Sequence, residues 1–238
     1  MFNILKSFNI FHDPLFFRAL LKGTAAGTEH RRLLQSLDCR HVVDIGANCG
    51  QFALISRKCF PDARIDSFEP LVEPADRFER VFSGDINTHL HRCAIGVEKA
   101  TMFIHVSERD DSSSLLPIGK NQSELFPHTG EREVRKVTVL PLHEVIDAKN
   151  LIFPSLLKID VQGFELEVLK GCRSMLDHFS RIYVECSFIE LYEGQALAHE
   201  VIDYLSQHDF ILSGVYNMSY DRHGIAIQAD FLFSQNTR

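Results

Sequence analysis

The sequence predicts an α/β fold: a mostly parallel sheet of seven strands with helices on both faces, closed by a C-terminal hairpin. Three observations point there. Residues 42–50 (VVDIGANCG) are a β-branched apolar run, as in a strand buried on both faces. The run breaks into a glycine-rich turn, and Phe52, Leu54 and Ile55 then follow with helical spacing. Residues 155–172 (SLLKIDVQGFELEVLKGC) repeat that order of strand, acid, glycine and helix, and between the two units residues 64–68 read as a strand closing on Glu69-Pro70. Such units place a ligand at the carboxyl edge of the sheet.

The first 39 residues read as a helical segment, either a cap on the sheet or a wall of the acceptor site, and residues 40–238 as one ligand-binding domain. Residues 1–21 are rich in Phe and Leu, but Lys6, Asp13, Pro14 and Arg18 interrupt them, and no cleavage site marks a signal peptide. Two short amphipathic helices are expected, with weak contact of residues 1–22 with a membrane surface as the alternative. A helix over 29–37 leads into strand one. The helix after Gly50 ends near Pro61, since proline disfavours helix in the residue before it. Further helices are expected over 74–82, 164–176 and 199–207. Strand three is placed over 87–95, strand four over 156–159 and strand five over 181–186. Residues 187–194 then leave on the ligand edge, and the last strands cover 210–215 and 229–233. Residues 102–106 and 134–140 read as two additional strands. The polar loop between them carries Asp110, Asp111 and Ser112 to Ser114, and its length suits a flap at the active-site mouth.

A chain of 238 residues with 45% hydrophobic and 24% charged residues is an ordinary soluble composition, long enough for a substantial core in one domain. The net charge of −7 argues against a nucleic-acid backbone as partner. Six cysteines without a C-x-x-C pair give neither zinc spacing nor a secreted disulfide framework, so reduced thiols in a cytoplasm are expected. No apolar run reaches transmembrane length.

The acid at the end of strand one selects the ligand. A dinucleotide fingerprint, G-x-G-x-x-G, seats a pyrophosphate on a helix N-terminus. Here the spacing is G-x-N-x-G, and Asp44 stands two residues before Gly46. An uncompensated carboxylate repels a pyrophosphate and suits a ligand bearing an ammonium and a sulfonium, S-adenosylmethionine. Asp44, Gly46, Asn48 and Gly50 form the expected donor loop, the glycines letting the backbone close on the ligand. Removing Asp44 is expected to abolish donor binding and leave the fold intact. Glu69 lies nineteen residues after Gly50, about where a doubly wound fold places an acid for ribose hydroxyls. A helix-capping acid is the plainer reading. Cys93 is placed beside the adenine.

Asp160 closes strand four on the same edge as Asp44 and Glu69, and three carboxylates there are costly unless something positive binds between them. Lys158 shares a strand face with Asp160 and needs a partner, either Asp160 or Glu185 at the end of strand five. It either holds an active-site acid or reaches past the sheet to water. Glu165 is catalytic or substrate-binding, or else a first-turn acid favoured by the helix dipole. A methyl donor bound at this edge calls for in-line alignment with an acceptor and for a nearby base. Asp160 is the first candidate for base or orienting group, then Glu165 or Glu185, with His143 and His223 behind. A divalent metal bridging Asp160 and Glu185 would suit a vicinal diol, but no spacing demands one.

DIGANCG, SFEPL, the SSSL of the flap, LLKIDVQGFELEVLKG, IYVECSF and YDRHG…QADFLF come in the order found in FkbM-type methyltransferases, which the chain resembles over residues 40–233. The resemblance implies a Rossmann-like class I methyltransferase fold with an antiparallel last strand. It also implies S-adenosylmethionine as donor and O-methylation of a hydroxyl on a sugar, glycan or natural product. Asp44, Gly46, Asn48 and Gly50 match the family's donor loop, Glu69 its ribose acid and Asp160 its reaction-edge acid. The family's KIDVEG is KIDVQG here, so no role of the second acid transfers to Gln162. The rival readings are an NAD-dependent oxidoreductase, a nucleic-acid or protein methyltransferase, and a donor-binding homologue without catalysis. The departure from the dinucleotide spacing opposes the first; a missing N/D-P-P-F/Y motif and the acidic charge oppose the second.

Overall fold

The computed structural model describes residues 13–236. Its ten strands are β1 (His41–Ile45), β2 (Arg64–Phe68), β3 (Thr88–His91), β4 (Ala94–Ile95), β5 (Ala100–Ser107), β6 (Glu131–Leu140), β7 (Ser155–Ile159), β8 (Arg181–Ser187), β9 (Phe210–Tyr220) and β10 (Ala226–Gln235). The helices are α1 (Pro14–Leu21), α2 (Arg31–Leu34), α3 (Gln51–Cys59), α4 (Val72–Phe82), α5 (Lys120–Leu125), α6 (Glu165–Gly171) and α7 (Ala198–Ser206). Seven strands form the main sheet in the order β3-β2-β1-β7-β8-β10-β9. β10 is antiparallel to both neighbours, and the other pairings are parallel. The expected fold class is what the chain adopts. The chain steps outward in one direction from β1 and in the other from β7, so the crevice between their carboxyl ends is the switch point where such folds bind ligands.

Alternation along the strands sends side chains into two cores. Val43, Ile45, Leu157 and Ile159 pack with Leu169 and Phe210 on one face. Val42 and Leu156 pack with Phe52, Leu54 and Phe78 on the other, joined there by Phe16 and Ala19 of α1. The rest of the expected N-terminal helical pair lies outside the described residues, as does most of the segment expected at a membrane surface. No helix among the described residues is long and apolar enough to cross a membrane.

Several boundaries differ from expectation. Strand three stops at His91, where the Cys93 N–H turns back onto the His91 carbonyl at 3.0 Å. Ala94–Ile95 instead joins a separate three-stranded sheet, β4-β6-β5, built from the two additional strands. The helix expected over 29–37 tightens to a 3-10 turn, Thr28–His30, and the short α2. The one over 164–176 stops at Gly171 and continues as a 3-10 turn, Arg173–His178, which keeps Met175 and Leu176 buried and so preserves the apolar spacing. The flap holds a 3-10 turn at Asp110–Ser112 and α5, and an isolated bridge between Ser114 and His105 ties it to β5.

Candidate active site

A cavity of about 240 Å³ opens at the carboxyl ends of β1, β2 and β7. Gly46, Ala47, Asn48, Glu69, Cys93, Lys158, Asp160 and Gln162 stand in its wall, and Phe68, Ile95, Ile104 and Leu115 make an apolar portion beside Glu69. Gly27, Glu29 and His30 enter the wall from the N-terminal segment, and Asp111, Ser113 and Ser114 from the flap. Both segments therefore reach the cavity.

Glu69 is fixed by backbone amides. The Asn48 N–H donates to Oε2 at 3.0 Å and the Leu71 N–H to Oε1 at 2.8 Å. Each oxygen keeps a lone pair for a hydroxyl donor in the cavity. Burial pushes this carboxyl up to about 7, with the two backbone bonds opposing it. The glycines on either side do something other than admit a ligand. Gly46 (φ +81°) has no room for a Cβ because the Asp160 carbonyl oxygen occupies that space. A Cβ on Gly50 (φ +92°) would sit 2.7 Å from Phe82 and 2.9 Å from Phe78. Gly50 is absent from the cavity wall, so its expected donor contact is corrected to a packing role beneath α4.

Asp44 is also corrected. It is fully buried, does not line the cavity, and neither of its oxygens accepts a well-aligned hydrogen bond. Lys158, its register partner on β7, places Nζ 3.3 Å from Asp44 Oδ1 and 3.4 Å from Asp160 Oδ2, and donates to the Gly46 carbonyl at 3.3 Å. The chain thus supplies its own cation between two of the three edge carboxylates. Burial favours the neutral amine, but Asp160 and Asp44 outweigh it and hold Lys158 charged. Burial pushes the Asp44 carboxyl up, with Lys158 opposing. Burial also raises Asp160, yet Lys158 and Gln162 overcome that and leave it below the usual carboxylate range.

Gln162 explains its own departure from KIDVEG. Its Nε2 donates to Asp160 Oδ1 at 2.7 Å and to Glu185 Oε2 at 2.9 Å, tying together two carboxyls that would otherwise repel. Its Oε1 accepts from the Tyr192 hydroxyl at 2.9 Å, which lies 3.1 Å from the Ser112 carbonyl in the flap. Glu185 also accepts from Gln228 Nε2 at 2.8 Å, and burial beside Asp160 and Asp230 pushes it well above the usual range. Glu185 thus stands behind Asp160 and not in the wall. Glu165 is likewise outside the wall: its Oε1 accepts from the Val161 and Gly163 amides at 3.2 and 2.9 Å, so it holds the turn that aims Asp160. Its first-turn reading fits and its substrate-touching reading does not. His143 and His223 lie outside the cavity wall.

Residues 44–212, more than half of the chain, match the methyltransferase FkbM domain. The chain belongs to the FkbM methyltransferase family. Membership brings S-adenosylmethionine with it as methyl donor. Among relatives, the chain is 26% identical over 204 residues to the 2-O-methyltransferase NoeI of Sinorhizobium fredii, covering 82% of this chain and 84% of that one. It is 27% identical over 142 residues to the hexuronic acid methyltransferase AglP of Haloferax volcanii, with 60% and 54% covered. It is also 27% identical over 147 residues to Methyltransferase 1 of Beauveria bassiana, of which it spans 59% with 56% of its own length. A solved structure from Klebsiella pneumoniae, a candidate O-methyltransferase, superposes with a TM-score of 0.53 at 11% identity over 99% of this chain and 97% of that one. That likeness bears on the fold alone. Among the wall residues of this FkbM chain that carried no motif in the sequence is His30, a lone histidine in GTEHRR.

Proposed function

We propose that the chain is an S-adenosylmethionine-dependent O-methyltransferase acting on a hydroxyl of a sugar, glycan or natural product. The observation that carries this reading is the pairing of Glu69 and Asp160 across one cavity at the switch point. Glu69 would accept from the donor's ribose hydroxyls. The apolar portion near Cys93 and Ile95 would cover the adenine, and the Ala47–Asn48 turn would line the donor between them. The ionised Asp160 would face the cationic end and orient the acceptor hydroxyl. When bound, S-adenosylmethionine supplies an electrophilic methyl carbon; the chain's part is to align the acceptor and exclude water. NoeI and AglP, by their names, methylate at a 2-O position and on a hexuronic acid, which favours a sugar acceptor. The acidic charge and the six free thiols support a small-molecule acceptor over nucleic acid, and a reducing cytoplasm.

Calorimetric titration with S-adenosylhomocysteine against NADH, followed by labelled methyl transfer to simple glycosides, tests the reading. Binding of NADH alone would overturn it. Asp160→Asn is expected to lower turnover at least tenfold while changing S-adenosylhomocysteine affinity less than threefold; unchanged kinetics would remove Asp160 from the site.

Glu69 gives the site a pH signature. Its carboxyl must ionise to accept from two hydroxyls, and burial pushes its value up to about 7. Donor affinity therefore strengthens as pH rises, by about tenfold between pH 6 and 8. Glu69→Gln should bind more weakly and lose that dependence. An S-adenosylhomocysteine affinity flat with pH in the wild type would refute the assignment.

A further inference from the structure

We propose that His30 is the general base of the methyl transfer, its Nε2 taking the acceptor hydroxyl's proton while Tyr183 and Asp230 hold the ring through Nδ1. The proposal rests on the O-methyltransferase reading above. His30 stands in the cavity wall with Lys158 and Asp160, and its ring meets Phe52 edge-on at 5.2 Å. Its Nδ1 lies 3.0 Å from the Tyr183 hydroxyl, and that hydroxyl donates to Asp230 Oδ2 at 2.9 Å. A carboxylate is the stronger acceptor, so the phenol proton belongs to Asp230 and the phenol oxygen is left to accept from Nδ1–H. Asn217 Nδ2 donates to the same Asp230 oxygen at 2.7 Å, and it stands 3.3 Å from both Nδ1 and the Tyr183 oxygen. Asp230 Oδ2 itself is 3.6 Å from Nδ1, which further favours a proton there. The lone pair then falls on Nε2, which has no hydrogen-bond partner among the described residues.

The alternatives are worse placed. Asp160 is engaged by Lys158 and Gln162 and held below the usual carboxylate range, so it is a weak base. Glu185 has both oxygens occupied by side-chain amides. His30 is faced by Asp230 from β10, by Glu29 beside it, and by Lys158 and Asp160 from β7 and its end. Burial is the largest influence and lowers its value, with Asp230 and Glu29 opposing, so the ring is neutral at pH 7 and ready to accept a proton. In the step, the acceptor O–H bond breaks and its proton passes to Nε2 as the oxygen bonds to the methyl carbon. The electron pair of the broken carbon–sulfur bond stays on sulfur, and the imidazolium returns its proton to water.

Two measurements on the full chain test this. Long-range proton–nitrogen NMR of histidine-labelled protein with S-adenosylhomocysteine is expected to find His30 neutral at pH 7 with its proton on Nδ1. A proton on Nε2, or an imidazolium at pH 7, would overturn the proposal. In labelled transfer to a set of methyl glycosides, His30→Gln is expected to lower kcat about a hundredfold, remove the acidic limb of the pH profile, and leave S-adenosylhomocysteine affinity within twofold. A rate equal to wild type would overturn it as well. Tyr183→Phe keeps the imidazole but loses its orienting oxygen, so the pH limb and the tautomer ratio should shift; an unmoved profile and tautomer would remove Tyr183 from the relay. A wild type that binds S-adenosylhomocysteine yet methylates no glycoside sinks the sugar reading, while the NMR result still judges His30.

Discussion

Lys158→Met is expected to destabilise the fold by about 3–5 kcal/mol, as breaking a buried ion pair from one side does. The lysine is 5% exposed and Asp44 not at all, and the ammonium at 3.3 Å is what compensates the Asp44 charge. Without it Asp44 must ionise alone in the sheet or take up a proton. Its folded value, already raised by burial, then lies further above the unfolded one, so the variant's deficit grows as pH rises through about 4 and shrinks in acid. Removing both charges avoids that penalty, so Lys158→Met combined with Asp44→Leu should recover most of the loss. Urea unfolding of the two singles and the double at pH 7 checks this. A single lysine variant within 1 kcal/mol of wild type, or a double variant no better than it, would defeat the argument.

The same pair revises what removal of Asp44 alone should do. With the acid gone, Lys158 keeps Asp160, the Gly46 carbonyl and the face of the Phe52 ring as partners. Asp44→Ala thus disturbs Lys158 and Asp160 first, and donor binding through them. Weaker donor binding in that variant would not by itself place Asp44 against the ligand; a stability measurement must accompany it.

The sequence made the strand tips legible because strand, acid, glycine and helix are local in the chain. Asp44, Glu69 and Asp160 all fall at one edge as read, and the flap reaches the cavity as its length suggested. What pattern could not supply is which way each group is turned. Glycine spacing looks the same whether the missing Cβ makes room for a ligand or, as at Gly50, for Phe78 and Phe82. Glu165 satisfies two backbone amides of its own turn, a fold-back no periodicity announces. His30 was illegible for another reason. Its partners Tyr183, Asn217 and Asp230 lie more than 150 residues away along the chain and meet it only because β10 inserts between β8 and β9. Even the match of Lys158 to Asp44 depends on the β1–β7 register, which neither strand states alone.

A second buried carboxylate, away from the cavity, was likewise invisible until the strands were paired. Asp66→Asn is expected to lower stability by about 3 kcal/mol and the melting temperature by roughly 6–12 °C. Asp66 on β2 is fully buried and accepts from His41 Nε2 at 2.8 Å, Arg64 Nε at 2.6 Å and His91 Nε2 at 2.9 Å, so one side chain binds the starts of β1 and β2 to the end of β3. The Ile152 N–H donates to His41 Nδ1 at 3.3 Å, so Nδ1 accepts and Nε2 is left as the donor to Asp66. An amide in place of the carboxylate turns an N–H₂ toward at least one of these donors, and His41, wholly buried, has no water to turn to. Burial alone would raise Asp66, but His41, His91 and Arg64 together hold it far below the carboxylate range. Its folded value lies beneath its unfolded one, so its contribution is complete above about pH 4 and is lost only as pH falls through the folded value. The gap between variant and wild type should therefore stay constant from pH 8 to 5 in thermal unfolding and narrow only in strong acid. A gap that closes between pH 7 and 5 would refute Asp66 as the anchoring charge.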